Sequence, residues 1–387
     1  MINFASSGRH DDLKDTGNTQ NDFFSFIKNE ELIILANPNA YSMKKLSLLL
    51  FILLYFTTHS WSYSDNDSVK TYLLKGLEAK SEHRFLVAIN NFNKAIFFDS
   101  TNTEVLIALG ETFAEMRQYA AAINAFEKLY QLDSYNTKAV ENLANLYFLR
   151  RKSEMAIFYA EKMRKMKIGA GRPDYIIGMI SYYDENYPVA VENLMNYLNY
   201  EPDNAEVTYA IGRSYVDLER YDNAIRYYEK SISLDSSSPM RIYELGMIYY
   251  NISNYGKAVE YFELAGARGL RQDIDYFVNL GNVYVSSGKA EKGIELLKKA
   301  LEKRASNPSI LNDLAYAFYY NKNYQEAIDT WDQILQMDKT NARSLYMIGI
   351  CYQKRGEKAK GQILCDKAIA LDPSLNNLKR QVGGLGL

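Results

Sequence analysis

A 34-residue period constrains this chain more than any other feature. Small residues stand at Gly76, Gly110, Ala144, Gly178, Gly212, Gly246, Gly281, Ala315 and Gly349, 34 apart at every step but one, which is 35. Twelve residues after each comes a second small residue: Ala88, Ala122, Ala156, Ala190, Ala224, Ala258, Gly293, Ala327 and Gly361. A chain with such a ruler repeats one supersecondary unit and buries its apolar face between neighbouring copies. The 387 residues therefore read as one array, although their number alone would suit two or three ordinary domains.

Other positions keep the same step. Three residues after the first anchor stands an aromatic in seven units, as Phe113, Tyr147, Tyr215, Tyr249, Tyr284, Phe318 and Tyr352. Four after the second anchor comes a bulky side chain, as Phe92, Phe126, Leu194, Tyr228, Phe262, Leu297 and Trp331. Units close on Asp99-Ser100, Asp133-Ser134, Pro202, Asp235-Ser236 or Pro373, which are turn signals, so each unit reads as two short helices and two turns. The small residues let the two backbones approach, and the large ones fill the space on either side.

Numbered from residue 69, each unit has small residues at positions 8 and 20, an aromatic at 11 and a bulky residue at 24, and this pattern resembles the tetratricopeptide-repeat family. The resemblance implies an all-α fold, a right-handed superhelix of about nine helix-turn-helix repeats at 69–102, 103–136, 137–170, 171–204, 205–238, 239–273, 274–307, 308–341 and 342–375. Three repeats depart from it, with Ala79 and Ser181 at position 11, and Gly361 and Cys365 at positions 20 and 24 of the last. Turn-rich breaks at Gly169–Pro173 and Gly266–Gly269 divide the array into three blocks of three, between which hinge motion is expected. A short capping segment and flexible tail should follow at 376–387.

Ahead of the array, Met43 to Ser64 reads as a secretory signal: Lys44 and Lys45, an eleven-residue run from Leu46 to Phe56, then small residues at alternate places, with cleavage expected near Ser62. Eleven residues span about 16 Å as a helix, too short to cross a bilayer. The mature chain is thus expected to be exported, periplasmic or extracellular, with no integral membrane span. The alternative is a membrane anchor formed by uncleaved residues 43–64. Residues 1–42 are polar and aperiodic, and are expected to be a mis-assigned or disordered extension ahead of a true start at Met43.

Composition narrows the function. A formal net charge of −2 leaves no electrostatic footprint for nucleic acid. With three histidines, of which only His83 lies past the signal, a histidine-based triad or zinc site has little to build on. Cys351 and Cys365 fit no metal or redox spacing and are either two buried thiols or a disulfide. Carboxylates such as Asp217 and Glu244 read as solvated charges on exposed helices. No enzyme activity, cofactor or metal is expected.

Thirty-three tyrosines are the compositional oddity. Those at positions 11 and 17, the latter being Tyr119, Tyr187, Tyr221, Tyr255 and Tyr324, are expected to pack. Positions 2, 5, 9, 12 and 13 share one face of the first helix, which in the family lines a concave groove. Repeats 4 to 6 place Tyr175, Met179, Tyr182, Tyr183, Tyr209, Arg213, Tyr243, Met247 and Tyr250 there, and repeats 8 and 9 add Tyr316, Tyr319, Tyr320 and Tyr346. Tyrosine offers a broad apolar body with one polar handle, and methionine adapts to varied shapes. The face is therefore the candidate site for a protein or extended peptide. The competing reading is that these are ordinary solvated or inter-repeat contacts.

The carboxylate clamp of some family members is absent, because Asn145 and Asn282 occupy position 9 while position 5 holds Glu141 and Val278, and Asp313 stands where an asparagine would follow. The function expected is a non-catalytic scaffold or adaptor acting through its groove in envelope assembly or secretion. The alternative is a glycan-binding array using the same tyrosines.

Overall fold

The computed structural model describes residues 66–376. The expectations for residues 1–42, for the signal at 43–64 and for the tail from 377 onward lie outside the described residues. Among the described residues there are eighteen α-helices and no strand, the all-α hairpin array that the period predicts.

The chain divides into two compact units, Met1–Ala139 and Val140–Leu387. In the first lie α1 (66–81), α2 (Phe85–Phe98), α3 (Thr103–Glu115) and α4 (Tyr119–Leu132). Helix α5 (Thr137–Leu149) leads into the second, which continues with α6 (Ser153–Met166), α7 (Arg172–Tyr183), α8 (Tyr187–Tyr197), α9 (Ala205–Asp217) and α10 (Tyr221–Leu234). There follow α11 (Pro239–Asn251), α12 (Tyr255–Ala267), α13 (Ile274–Ser286), α14 (Ala290–Lys303), α15 (Pro308–Tyr320), α16 (Tyr324–Met337), α17 (Ala342–Lys354) and α18 (Lys358–Leu371). A 3-10 turn at Pro373–Leu375 buries Leu375 against the last hairpin.

Two turn chemistries recur. Between repeats, an aspartate closes one helix and accepts a hydrogen bond from the backbone N–H two residues on, as Asp99 does from Thr101, Asp235 from Ser237 and Asp338 from Thr340. An asparagine then caps the next helix, Asn102 accepting from Val105, Asn204 from Val207 and Asn341 from Ser344. The hydroxyls of Thr101, Ser237 and Thr340, and then their backbone N–H groups, favour the ionised form and hold the Asp99, Asp235 and Asp338 carboxyls below the usual carboxylate range.

Within each repeat, the first helix ends on a left-handed residue at position 15. In repeat 5 this is Glu219 (φ 56°), where the N–H of Arg220 reaches Tyr215 O and that of Glu219 reaches Val216 O. Only repeats 7 and 9 put glycine there, as Gly288 and Gly356.

The packing follows the small-to-large rule hairpin by hairpin. A Cβ on Gly110 would sit 2.7 Å from the Phe126 ring, and one on Gly212 would sit 2.9 Å from Tyr228. In the last hairpin both small positions are glycine, and a Cβ on Gly361 would fall 2.4 Å from Gly349 O. Cys351 and Cys365 are both buried and form no disulfide, and burial pushes the Cys351 thiol up to about 12 against the opposing pull of Arg355.

The second turn-rich break does not interrupt the packing. Gly266 lies inside α12, where a Cβ would meet Tyr276 Oη at 2.3 Å, and Tyr276 donates to Phe262 O. One apolar core runs from Met179 through Phe262 to Tyr284, straight across Gly266–Gly269. The first break is different: Gly169 (φ 76°) and Gly171 (φ 71°) enclose Ala170, and the Tyr200 ring lies against Gly171. Among the described residues no helix is long and apolar enough to cross a membrane.

Candidate binding face

The site is built on three first helices, α7, α9 and α11, all within the second unit. Their position-5 residues, Tyr175, Tyr209 and Tyr243, recur at 34-residue steps and are partly buried, each meeting another ring edge to face. Tyr175 meets Phe148 at 5.7 Å, Tyr209 meets Tyr228 at 5.5 Å and Tyr243 meets Phe262 at 4.8 Å between centroids. The Arg172 guanidinium lies 4.8 Å from the centre of the Tyr175 ring.

Of the other predicted residues, Tyr182, Arg213, Met247 and Tyr250 are partly buried, Tyr183 is 68% exposed and Met179 is buried at 8%. Met179 therefore packs in the core and does not offer its side chain to a partner. Among the residues of repeats 8 and 9, Tyr320 is exposed and Tyr316 partly buried, while Tyr319 and Tyr346 are sealed inside. Tyr346, at 2% exposure, is one of the largest fully buried side chains.

The polar part of the face is a ladder linking successive first helices, and its centre is Glu244. Tyr209 Oη and Tyr228 Oη both donate to Glu244 Oε2 at 2.8 Å, and Arg213 Nη1 donates to Oε1 at 3.2 Å. The next rungs are Asn279 Nδ2 to Tyr243 Oη at 2.5 Å and Asn282 Nδ2 to Asp313 Oδ2 at 3.1 Å. Toward the N-terminal side Arg172 Nε donates to Asn145 Oδ1 at 2.7 Å, and toward the C-terminal side Arg343 Nε donates to Tyr316 Oη at 3.2 Å.

Electrostatics follow from this partial burial. Burial, reinforced by the Glu244 charge, pushes the Tyr209 and Tyr228 phenols far above the ordinary tyrosine value. Burial also raises Tyr182, opposed by Arg213, and raises the Asp313 carboxyl, opposed by its bond from Asn282. Arg213 Nε is buried without a hydrogen-bond partner. The face thus presents neutral tyrosines, apolar methionine and paired charges, a surface suited to gripping a chain by shape and by ring contact.

Sequence reasoning missed Glu244, which is no solvated charge: its side chain is 21% exposed and meets three donors. It also read Tyr228 only as packing bulk. The signal was available, because position 24 is a core place and a tyrosine there needs a partner for its hydroxyl. Trp331 obeys the same rule, donating Nε1–H to Asn312 at 3.2 Å. Nor are Asn145 and Asn282 spare clamp residues, since both already serve as rungs.

Comparison with known proteins places these observations. Tetratricopeptide-repeat models match residues 103–136, 205–238, 242–265 and 312–376, and a TPR-repeat model matches 281–322. The chain is 35% identical over 81 residues to a TPR repeat-containing protein of Methanocaldococcus jannaschii, a stretch that covers 21% of this chain and 14% of that protein. It is 28% identical over 112 residues to BBSome complex member BBS4 of Bos taurus, covering 28% and 21%. It therefore spans less than a quarter of the length of either relative.

Among solved structures, the C-terminal part of a TPR repeat-containing protein from Cytophaga hutchinsonii is similar with a TM-score of 0.47 at 18% identity, covering 59% of this chain and 94% of that one. A tetratricopeptide repeat protein from Parabacteroides merdae gives a TM-score of 0.43 at 15% identity, covering 65% and 99%.

Proposed function

Because the chain belongs to the tetratricopeptide-repeat family, we propose that it is a non-catalytic scaffold that holds an extended segment of a partner protein across the face of α7, α9 and α11. Family membership supports protein binding in general. The particular face rests on one observation: tyrosines at 34-residue steps whose rings are held at fixed angles by neighbouring rings, with Tyr183 standing clear beside them. Side chains already ordered in this way lose little entropy when a partner arrives. Their step matches the stacking of the repeats, so one extended peptide meets them in succession.

The setting we propose is the cell envelope, in assembly or secretion, and it rests on the signal-like residues 43–64. Pull-down from envelope extract tests the face. Tyr183→Ala combined with Met247→Ala leaves the Glu244 ladder intact, so the melting temperature should hold while partner recovery falls on the order of tenfold, as for loss of anchor residues. Equal recovery by wild type and variant would remove the face from consideration. A screen in which saccharides bind and peptides do not would replace this reading with the glycan-binding one.

A further inference from the structure

The first hairpin departs from the others in a way the peptide-binding reading does not use. Helix α2 (FLVAINNFNKAIFF) buries Ala88, Phe92 and Ala95 on one side, yet its opposite side is also apolar at both ends. Leu86 is 73% and Phe97 83% exposed, and Val87 and Phe98 also stand out to solvent. At about 100° per residue, Leu86 and Phe97 fall on one stripe, eleven residues or roughly 16 Å apart.

No other repeat places a large apolar side chain at either site. Where Leu86 stands, others carry Glu154, Asp222 or Gln325, and where Phe97 stands they carry Lys165, Ser233 or Gln336. A terminal repeat ordinarily keeps a polar outer face, and here the exposed Asn90 and Asn93 supply only the middle of it, between Leu86 and Phe97.

The surroundings indicate what covers it. Helix α2 has no acidic residue, and its one charge is Lys94. Phe98 stacks on Tyr72 at 5.9 Å and meets Phe97 edge to face at 5.5 Å. The ammonium groups of Lys75 and Lys94 lie 5.7 and 5.6 Å from the Tyr72 ring. Exposed aromatic rings flanked by lysine ammoniums match the boundary between acyl chains and anionic headgroups. The run Leu46–Phe56 brings the chain to a bilayer as signal or as anchor, and where it is retained residues 57–65 can reach at most about 30 Å from its end to α1.

We propose that the outer face of α2 lies on an anionic lipid surface, holding the array at the membrane by its first repeat. The test is hydrogen–deuterium exchange on the full chain with vesicles of phosphatidylethanolamine and phosphatidylglycerol. Amides of residues 85–98 should slow on the order of tenfold when vesicles are added. The double variant Leu86→Gln with Phe97→Gln borrows the residues that repeat 8 carries at these places, so it should fold as wild type and lose that protection.

Lys94→Glu should weaken protection on phosphatidylglycerol vesicles and leave any response to phosphatidylcholine unchanged. Protection confined to residues 46–56, with α2 unaffected, would overturn the proposal. So would protection of α2 that grows with protein concentration in the absence of vesicles, which would make the occupant a second copy of the chain.

Discussion

Tyrosines link successive hairpins of the second unit in two places, and the two linkages are built on different principles. On the first-helix face, Tyr209, Tyr228 and Arg213 converge on a single carboxylate, Glu244, which is largely withdrawn from water. At positions 11, 23 and 25 the acceptors stand in solvent, and a second donor on Glu229, Tyr261, lies at the longer distance of 3.4 Å. Tyr249 donates to Glu229 at 2.9 Å and Tyr284 donates to Glu263, while Tyr215 meets only the sulfur of Met195. There the rings stack in pairs, Tyr249 on Tyr261 at 5.3 Å and Tyr215 on Tyr227 at 5.6 Å. A link to an exposed acceptor tolerates a substitution at either end, as Met195 shows, whereas a shared acceptor withdrawn from water makes its donors depend on one another. The face proposed for a partner carries the interdependent version.

The sharpest way to break this comparison is to remove one acceptor from each place. Glu244→Ala leaves two phenols and a guanidinium without their acceptor in a partly buried setting, and should cost about 2 to 4 kcal/mol. Glu229→Ala removes an exposed acceptor and should cost about 0.5 kcal/mol. Urea denaturation of both variants decides the matter, and equal losses would show that the convergence on Glu244 adds nothing.

Backbone approach offers a second contrast. Gly212→Ala would place a methyl 2.9 Å from the Tyr228 ring, and Gly246→Ala would place one 3.3 Å from Phe262. The first must move the ring whose hydroxyl reaches Glu244, at about 1 to 3 kcal/mol from overpacking. The second needs a shift of a few tenths of an ångström, and the better helix propensity of alanine offsets much of its cost. Thermal melts should rank Gly212→Ala well below Gly246→Ala.

Hydroxyl deletion gives a smaller effect. Tyr228→Phe keeps the ring against Gly212 and should lose about 1 to 1.5 kcal/mol, because the bond it removes runs to a charged acceptor inside the stack. Tyr249→Phe should lose about 0.5 kcal/mol, and a double-mutant cycle with Glu229→Ala should show little coupling beyond that.

Most of the architecture was legible in the residues, for a reason visible in the packing. Small side chains at positions 8 and 20 are demanded wherever backbones meet, and that demand returns every 34 residues. The ladder was not legible, because the positions it joins, 5 or 9 to 6 and 2 to 9, hold different residue types from repeat to repeat: position 6 is Glu244, Asn279 and Asp313, and position 9 is Asn145, Arg213, Asn282 and Tyr316. No column of one residue type carries it. The turn of the second break begins at Arg268, two residues after Gly266, for a related reason: glycine is also the residue that admits Tyr276 against a helix, and composition does not separate the two uses. Likewise, the face positions of α17 looked equivalent to those of α11, yet Tyr346 is sealed where Tyr243 keeps an edge in solvent.

Asp313 separates a paired charge from an interdependent one. It has a single partner, Asn282, and burial raises its carboxyl above the ordinary value of 3.8 in the folded chain. An acid with a raised folded value holds its proton more tightly when folded than when unfolded, so stability falls as pH rises from the unfolded value through the folded one. Asp313→Asn removes the charge and keeps an oxygen for Asn282. The variant should match wild type at pH below the ordinary carboxylate value and exceed it by less than about 1 kcal/mol at neutral pH. Denaturation midpoints across that pH range measure the difference. A variant less stable than wild type at neutral pH would mean that the Asp313 charge is held by more than its one visible partner, and would move it into the same class as Glu244.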